Sequence, residues 1–138
     1  MSNLTRVLLI DDERLFVESL TKVLRKREMV VHAAYSGSEA IAVLSAGKFD
    51  VIVLDLKMPE MDGLMTLKAI RDRDTLTPVI ILTGYIVIER VTEALKMGAT
   101  EVLLKPCPVE TLVSAIENAY ERKAIAEEAA ERRINSPR

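Results

Sequence analysis

Residues 7–16, VLLIDDERLF, decide the fold. Four apolar residues run directly into two adjacent carboxylates, and a helical pattern begins at once. Leu15, Phe16, Ser19, Leu20, Val23 and Leu24 fall on one stripe at helical spacing. A short apolar run without alternation is the pattern of a strand covered on both faces. Adjacent aspartates repel each other. At the end of a buried strand they either cap the next helix or hold something positive.

The same alternation recurs down the chain. Apolar runs occupy residues 7–10, 29–34, 51–54, 79–82 and 101–104. The first, third and fourth are apolar throughout. The second contains His32 and the fifth opens with Glu101, so both read as edge strands. Ser36-Gly37-Ser38-Glu39 has capping-box spacing ahead of Ala40, Ile41 and Leu44. Asp62-Gly63 precedes Leu64, Leu67 and Ile70, with Asp62 placed to cap. Ile88, Val91 and Leu95 lead to Gly98, a helix C-cap. Val109, Leu112, Val113, Ile116 and Tyr120 open the last helix. Strand and helix alternate five times, which predicts an α/β doubly wound parallel sheet with right-handed crossovers.

The last helix is expected to run on. Residues 124–134, AIAEEAAERRI, are strong helix formers, and Glu128 and Arg132 make a favourable i,i+4 pair. The expected organisation is one domain over residues 1–123, then a helical extension and disordered tail over 124–138. The alanine-rich extension fits either a solvated helix or a partner-binding, coiled-coil helix.

Composition narrows the class. The 138 residues suit one domain, and 49% are apolar, enough for a single core. A net charge of -2, with both signs mixed, predicts a soluble surface and gives no support for bulk nucleic-acid binding. The single cysteine, Cys107, permits no intrachain disulfide and suits a reducing compartment. The apolar run before Asp11 is too short for a signal sequence or a membrane span. The expectation is a cytoplasmic protein without membrane association.

Ligands of open parallel sheets bind beyond the carboxyl ends of the strands. The residues just past those ends are Asp11 and Asp12, Asp55, Thr83 and Lys105. Each carboxylate pair near 5 Å repels by roughly 3 kcal/mol at an effective dielectric of 20, so three pairs cost about 10 kcal/mol. Lys105 offsets part of this. A hard divalent cation offsets more, and an all-oxygen site favours Mg²⁺. Without metal, at least one carboxylate should have a raised pKa. Asp55, alone on the central strand, is the natural nucleophile toward a phosphoryl group, giving an acyl phosphate. Thr83 and Lys105 would bind phosphoryl oxygens.

These residues resemble those of the receiver domain of two-component response regulators. The resemblance covers residues 4–120 and rests on DD at 11–12, DLKMPEMDG at 55–63, LTGY at 82–85 and LLKP at 103–106. It implies a flavodoxin-like, five-stranded sheet in the order 2-1-3-4-5, similar to the chemotaxis regulators. It implies that Asp55 accepts a phosphoryl group from a histidine kinase or phosphotransfer protein. It also implies that Asp11, Asp12, Asp55 and the backbone carbonyl of Lys57 hold Mg²⁺. Lys105 would pair with the phosphoryl group, with the Lys105–Pro106 bond cis, and Thr83 would move toward it. The change would spread to the face of the fourth helix, fifth strand and fifth helix. That face, or the extended last helix, could form a homodimer.

The chain departs from the family pattern at two places. Val102 stands where an aromatic is common, so coupling through an aromatic rotamer is in doubt. Cys107 stands where phenylalanine is common. Lys57 and Tyr85 occupy positions that modulate hydrolysis in the family, with Tyr85 expected to cover the site partly. His32 reads as an edge-strand residue and Cys107 as a small buried hydrophobe. Glu13 and Glu60 read as solvated charges near the site.

The leading expectation is a phosphorylation-activated signalling switch. It is not an enzyme in the usual sense, and it relays by contact with a downstream protein rather than with nucleic acid. A phosphorylation-independent binding module on the same fold is the alternative. A Mg²⁺ phosphatase of the haloacid dehalogenase type is a weaker one, because Lys57 stands where that family needs a second aspartate.

Overall fold

The computed structural model describes residues 4–58, 61–84 and 87–135. Among them, five strands and five helices alternate. They are β1 (Arg6–Ile10), α1 (Arg14–Lys26), β2 (Val30–Ala34), α2 (Gly37–Ala46) and β3 (Val51–Leu54). There follow α3 (Gly63–Arg73), β4 (Val79–Thr83), α4 (Ile88–Lys96), β5 (Glu101–Leu104) and α5 (Val109–Asn135). The strands are all parallel, in the order β2-β1-β3-β4-β5. The two strands read as edges from His32 and Glu101 are the edges.

Strand alternation divides the core in two. Val7 and Leu9 of β1, with Val51 and Val53 of β3, face α1 and α5. Leu8 and Ile10, with Ile52 and Leu54, face α2, α3 and α4. β1, β3 and β4 are buried along nearly their whole length, which is why their sequences are apolar without alternation.

Local signals hold the helices in register. Ser36 Oγ accepts from the Glu39 N–H at 3.1 Å, capping α2. Asp62 Oδ1 accepts from the Met65 N–H at 2.9 Å, capping α3. Gly98 follows α4 at φ +104°, and the Gly98 and Ala99 N–H groups bond the carbonyls of Leu95 and Ala94. That is a Schellman stop, which favours glycine at this φ.

Two apolar stripes differ from the expectation. Leu15 is 81% exposed, and α1 buries Val17 in addition to Leu20 and Leu24 of the expected stripe. In α4 the buried residue is Ala94, while Ile88 and Leu95 point outward. α4 therefore presents apolar side chains to solvent beside Leu104 of β5, which is 48% exposed. α5 is one uninterrupted helix. Its first part buries Leu112, Val113, Ala115, Ile116 and Ala119. Beyond that it is largely exposed, with Lys123 Nζ reaching the Phe49 carbonyl at 3.5 Å. No helix among the described residues is long and apolar enough to cross a membrane.

Candidate functional site

Sheet pairing continues one residue past the strands and brings the polar side chains together. The Asp11 N–H bonds the Ala34 carbonyl, and the Asp55 N–H bonds the Ile10 carbonyl at 3.0 Å. These bonds set Asp11 and Asp55 side by side. On the other flank, the Lys105 N–H bonds the Thr83 carbonyl at 2.9 Å. Asp11, Asp55 and Thr83 are buried, and Asp12 is exposed. The Lys105–Pro106 peptide is cis.

Asp11, Asp12 and Asp55 each offer a carboxylate oxygen within 4.8 Å of the other two. Lys105 Nζ donates to Asp11 Oδ2 at 2.6 Å and to Glu13 Oε1 at 3.0 Å, and lies 3.5 Å from Asp55 Oδ2. It also sits 4.2 Å from the centre of the Phe16 ring, a cation–π contact. Asp12, Glu13, Asp55, Lys57, Met58, Gly84 and Lys105 line a cleft of about 630 Å³. This cleft opens at the carboxyl edge of the sheet, where ligands of such folds bind.

The loop after β3 is tightly folded. The Lys57 N–H bonds Asp55 Oδ1 at 3.2 Å, and the Gly63 N–H bonds the Leu56 carbonyl at 3.0 Å. A Cβ on Gly63 would lie 2.5 Å from the Asp55 carbonyl oxygen, too close for any side chain. The glycine that ends DLKMPEMDG thus lets α3 start against the backbone of Asp55.

The electrostatics match the crowding. Burial pushes the Asp11 carboxyl above its ordinary range, and the Asp55 charge adds to this. Hydrogen bonds from Lys105 and the Glu13 N–H only partly oppose it. Burial acts to lower the Lys105 pKa, but Asp11, Glu13 and Asp55 outweigh it and hold the ammonium charged. A raised carboxyl in the cluster is what the sequence predicted for the metal-free site.

Most of the residues picked out by sequence converge here: Asp11, Asp12, Asp55, Lys57 and Lys105 around the cleft, and Thr83 at the end of β4. Asp12 does not take the capping role weighed for it. The residue before α1 is Glu13, whose side chain makes no capping bond. Tyr85 and Glu60 lie outside the described residues. Two contributors were given no specific contact by sequence. Phe16 read only as part of a helical stripe, and Glu13 read as a solvated charge; both contact Lys105. Spacing along one chain carries no signal for contacts spanning about ninety residues. A third pairing, Arg90 with Asp62 Oδ2 at 2.8 Å, ties α4 to the cap of α3.

A family model described as the response regulator receiver domain matches residues 7–117. Regulatory protein AtoC of Escherichia coli is 32% identical over 128 residues, 93% of this chain and 28% of that protein. Transcriptional regulatory protein TrcR of Mycobacterium tuberculosis is 36% identical over 127 residues, 91% of this chain and 49% of that protein. The chain thus spans less than half the length of these relatives. A solved response regulator receiver domain protein from Clostridium thermocellum superposes with a TM-score of 0.84 at 33% identity, covering 89% of this chain and 99% of that one.

Proposed function

The chain belongs to the response regulator receiver family, and from that premise we propose that it is a switch thrown by phosphorylation of Asp55. The observation that carries the reading is the reach of Lys105. Its ammonium arrives from β5 to within 3.5 Å of Asp55 Oδ2, across a cleft open to a phosphodonor. A carboxylate nucleophile and a cation aimed at the same space are the parts phosphoryl transfer needs.

Asp55 attacks the phosphorus, forming a P–O bond to its carboxylate as the bond to the donor breaks. The donor group leaves with that electron pair. In this reading Lys105 takes up charge on the phosphoryl oxygens, and Thr83, at the end of β4, hydrogen-bonds to one of them. The Asp11, Asp12 and Asp55 carboxylates, with the Lys57 carbonyl, would hold Mg²⁺. Its fit is supported by an all-oxygen donor set, three carboxylates that each offer an oxygen within 4.8 Å of the other two. Mg²⁺ would supply neutralisation of the phosphoryl oxygens.

In this reading the phosphoryl group comes from a histidine kinase or phosphotransfer protein. The output is a protein contact on the α4–β5–α5 face. The outward Ile88, Leu95 and Leu104 support that face as a docking or homodimer surface, and the exposed end of α5 is a second candidate for self-association. TrcR is named a transcriptional regulator.

Intact mass after incubation with acetyl phosphate tests the reading. One added phosphoryl group is expected, dependent on Mg²⁺ and absent in Asp55→Asn. No adduct, together with no binding of beryllofluoride, would overturn it in favour of a phosphorylation-independent binding module.

A further inference from the structure

The Lys105 ammonium has three hydrogens and more than one carboxylate competing for them. Its two shortest partners are Asp11 and Glu13, and Asp55 is the most distant of the three at 3.5 Å. Glu13 differs from the other two. It is 62% exposed at the side chain, whereas Asp11 and Asp55 are 6% and 5%. It stands before α1 yet spends its carboxylate on Lys105 rather than on the free N–H groups of the helix. Its own N–H goes to Asp11 Oδ1 at 3.0 Å, which fixes the backbone from which the side chain reaches. It also lines the cleft through which a phosphodonor must come.

We infer that Glu13 is a positioning residue that shares Lys105 in the resting state and restrains phosphorylation of Asp55. This rests on the phosphoacceptor reading above. A phosphoryl group arriving at Asp55 needs an ammonium hydrogen. Asp11 is buried and poorly solvated, so it holds its bond. Glu13 can turn to water at little cost, so its bond is the one given up. Until then it stabilises the ground state alone, and a ground-state contact absent from the transition state slows the reaction. Its negative charge at the cleft also opposes an anionic donor, an effect that a shorter side chain would keep.

The test uses the full chain with Mg²⁺ and acetyl phosphate, following the rate of adduct formation by intact mass. Glu13→Gln should be phosphorylated about fivefold faster than wild type, equivalent to about 1 kcal/mol, the upper end for an exposed ion pair. Glu13→Asp keeps the charge but falls short of Lys105, and it should accelerate as well. The dissociation constant for beryllofluoride should tighten by a similar factor in both variants. A Glu13→Gln rate at or below wild type overturns the proposal. So does a fast Gln variant beside an Asp variant at the wild-type rate, since the effect would then belong to charge in the cleft. If wild type takes no phosphoryl group and binds no beryllofluoride, the phosphoacceptor reading itself has failed, a result distinct from either.

Discussion

Both ends of the sheet carry charge that is at least half-buried, and they handle it in opposite ways. At the amino-terminal end, Arg71 spans the turn after α3 and the turn after α4. Its guanidinium donates to the Gly98 carbonyl at 2.8 Å and 3.1 Å, to the Thr77 carbonyl at 2.7 Å and to the Asp74 carbonyl at 3.1 Å. Asp74 accepts from the Leu76 and Thr77 N–H groups and from the Thr77 hydroxyl. Burial acts to raise the Asp74 carboxyl, but these bonds and the Lys123 charge outweigh it and hold it below its ordinary range. At the carboxyl-terminal end, three carboxylates crowd together, and burial, with the Asp55 charge adding to it, pushes Asp11 upward instead. Charges with internal partners build a structure. Charges in excess of their partners leave a capacity to bind.

The comparison is most directly broken at Arg71. Arg71→Ala leaves the Gly98, Thr77 and Asp74 carbonyls without this donor, and of these residues Thr77 is buried. Stability should fall by about 2–3 kcal/mol, read as a lower urea midpoint. An unchanged midpoint would mean the network is incidental. Asp74→Ala should cost less, about 1.5 kcal/mol, because much of the group is solvated and the loss is of hydrogen bonds rather than field. It also carries a pH signature. With its folded pKa below the ordinary 3.8, Asp74 contributes stability that is fully present above 3.8. That contribution is lost as pH falls through the folded value. The gap between wild type and Asp74→Ala should therefore be constant at neutral pH and close in acid. A gap that widened in acid would reverse the sign.

The two ends also differed in how well the sequence announced them. The carboxyl-edge cluster was legible because the topology rule says where to look and the residue types are incongruous there: Asp11, Asp55 and Lys105 end apolar strands. The amino-edge network was not, since Arg71 reads as one of several charges on a helix and Asp74 as a turn residue. What they bond is backbone from distant turns, which periodicity does not encode. Within the helices, Ile88 and Leu95 show the same limit. Their spacing predicts a buried stripe, but α4 docks through Ala94, whose small side chain allows close approach. Hydrophobic spacing fixes that a face exists, and only packing decides whether it turns inward. Glu13 reads as a solvated charge near the site, which its exposure matches, but its bond to Lys105 is not legible because spacing does not encode a partner so distant in the chain.

The smallest expected effect sharpens the comparison most, because its sign is reversed. Asp11→Asn removes two repulsions of about 3 kcal/mol each and one attraction to Lys105 of about 6 kcal/mol, the pair lying at 2.6 Å, so the charge–charge effects nearly cancel. Relief of the cost of burying the charge, the main cause of the raised Asp11 carboxyl, leaves a gain of the order of 1 kcal/mol in the metal-free protein, where neutralising Asp74 would be a loss. Chemical denaturation with a chelator present is the measurement. Mg²⁺ provides the second half of the argument. Adding it should stabilise wild type by mass action and close the gap to Asp11→Asn, because the variant has lost a carboxylate from the proposed site. A variant less stable than wild type even in chelator would place Asp11 with Arg71 and Asp74, as a charge whose partners already suffice. The contrast between the two ends would then be one of position rather than of physics.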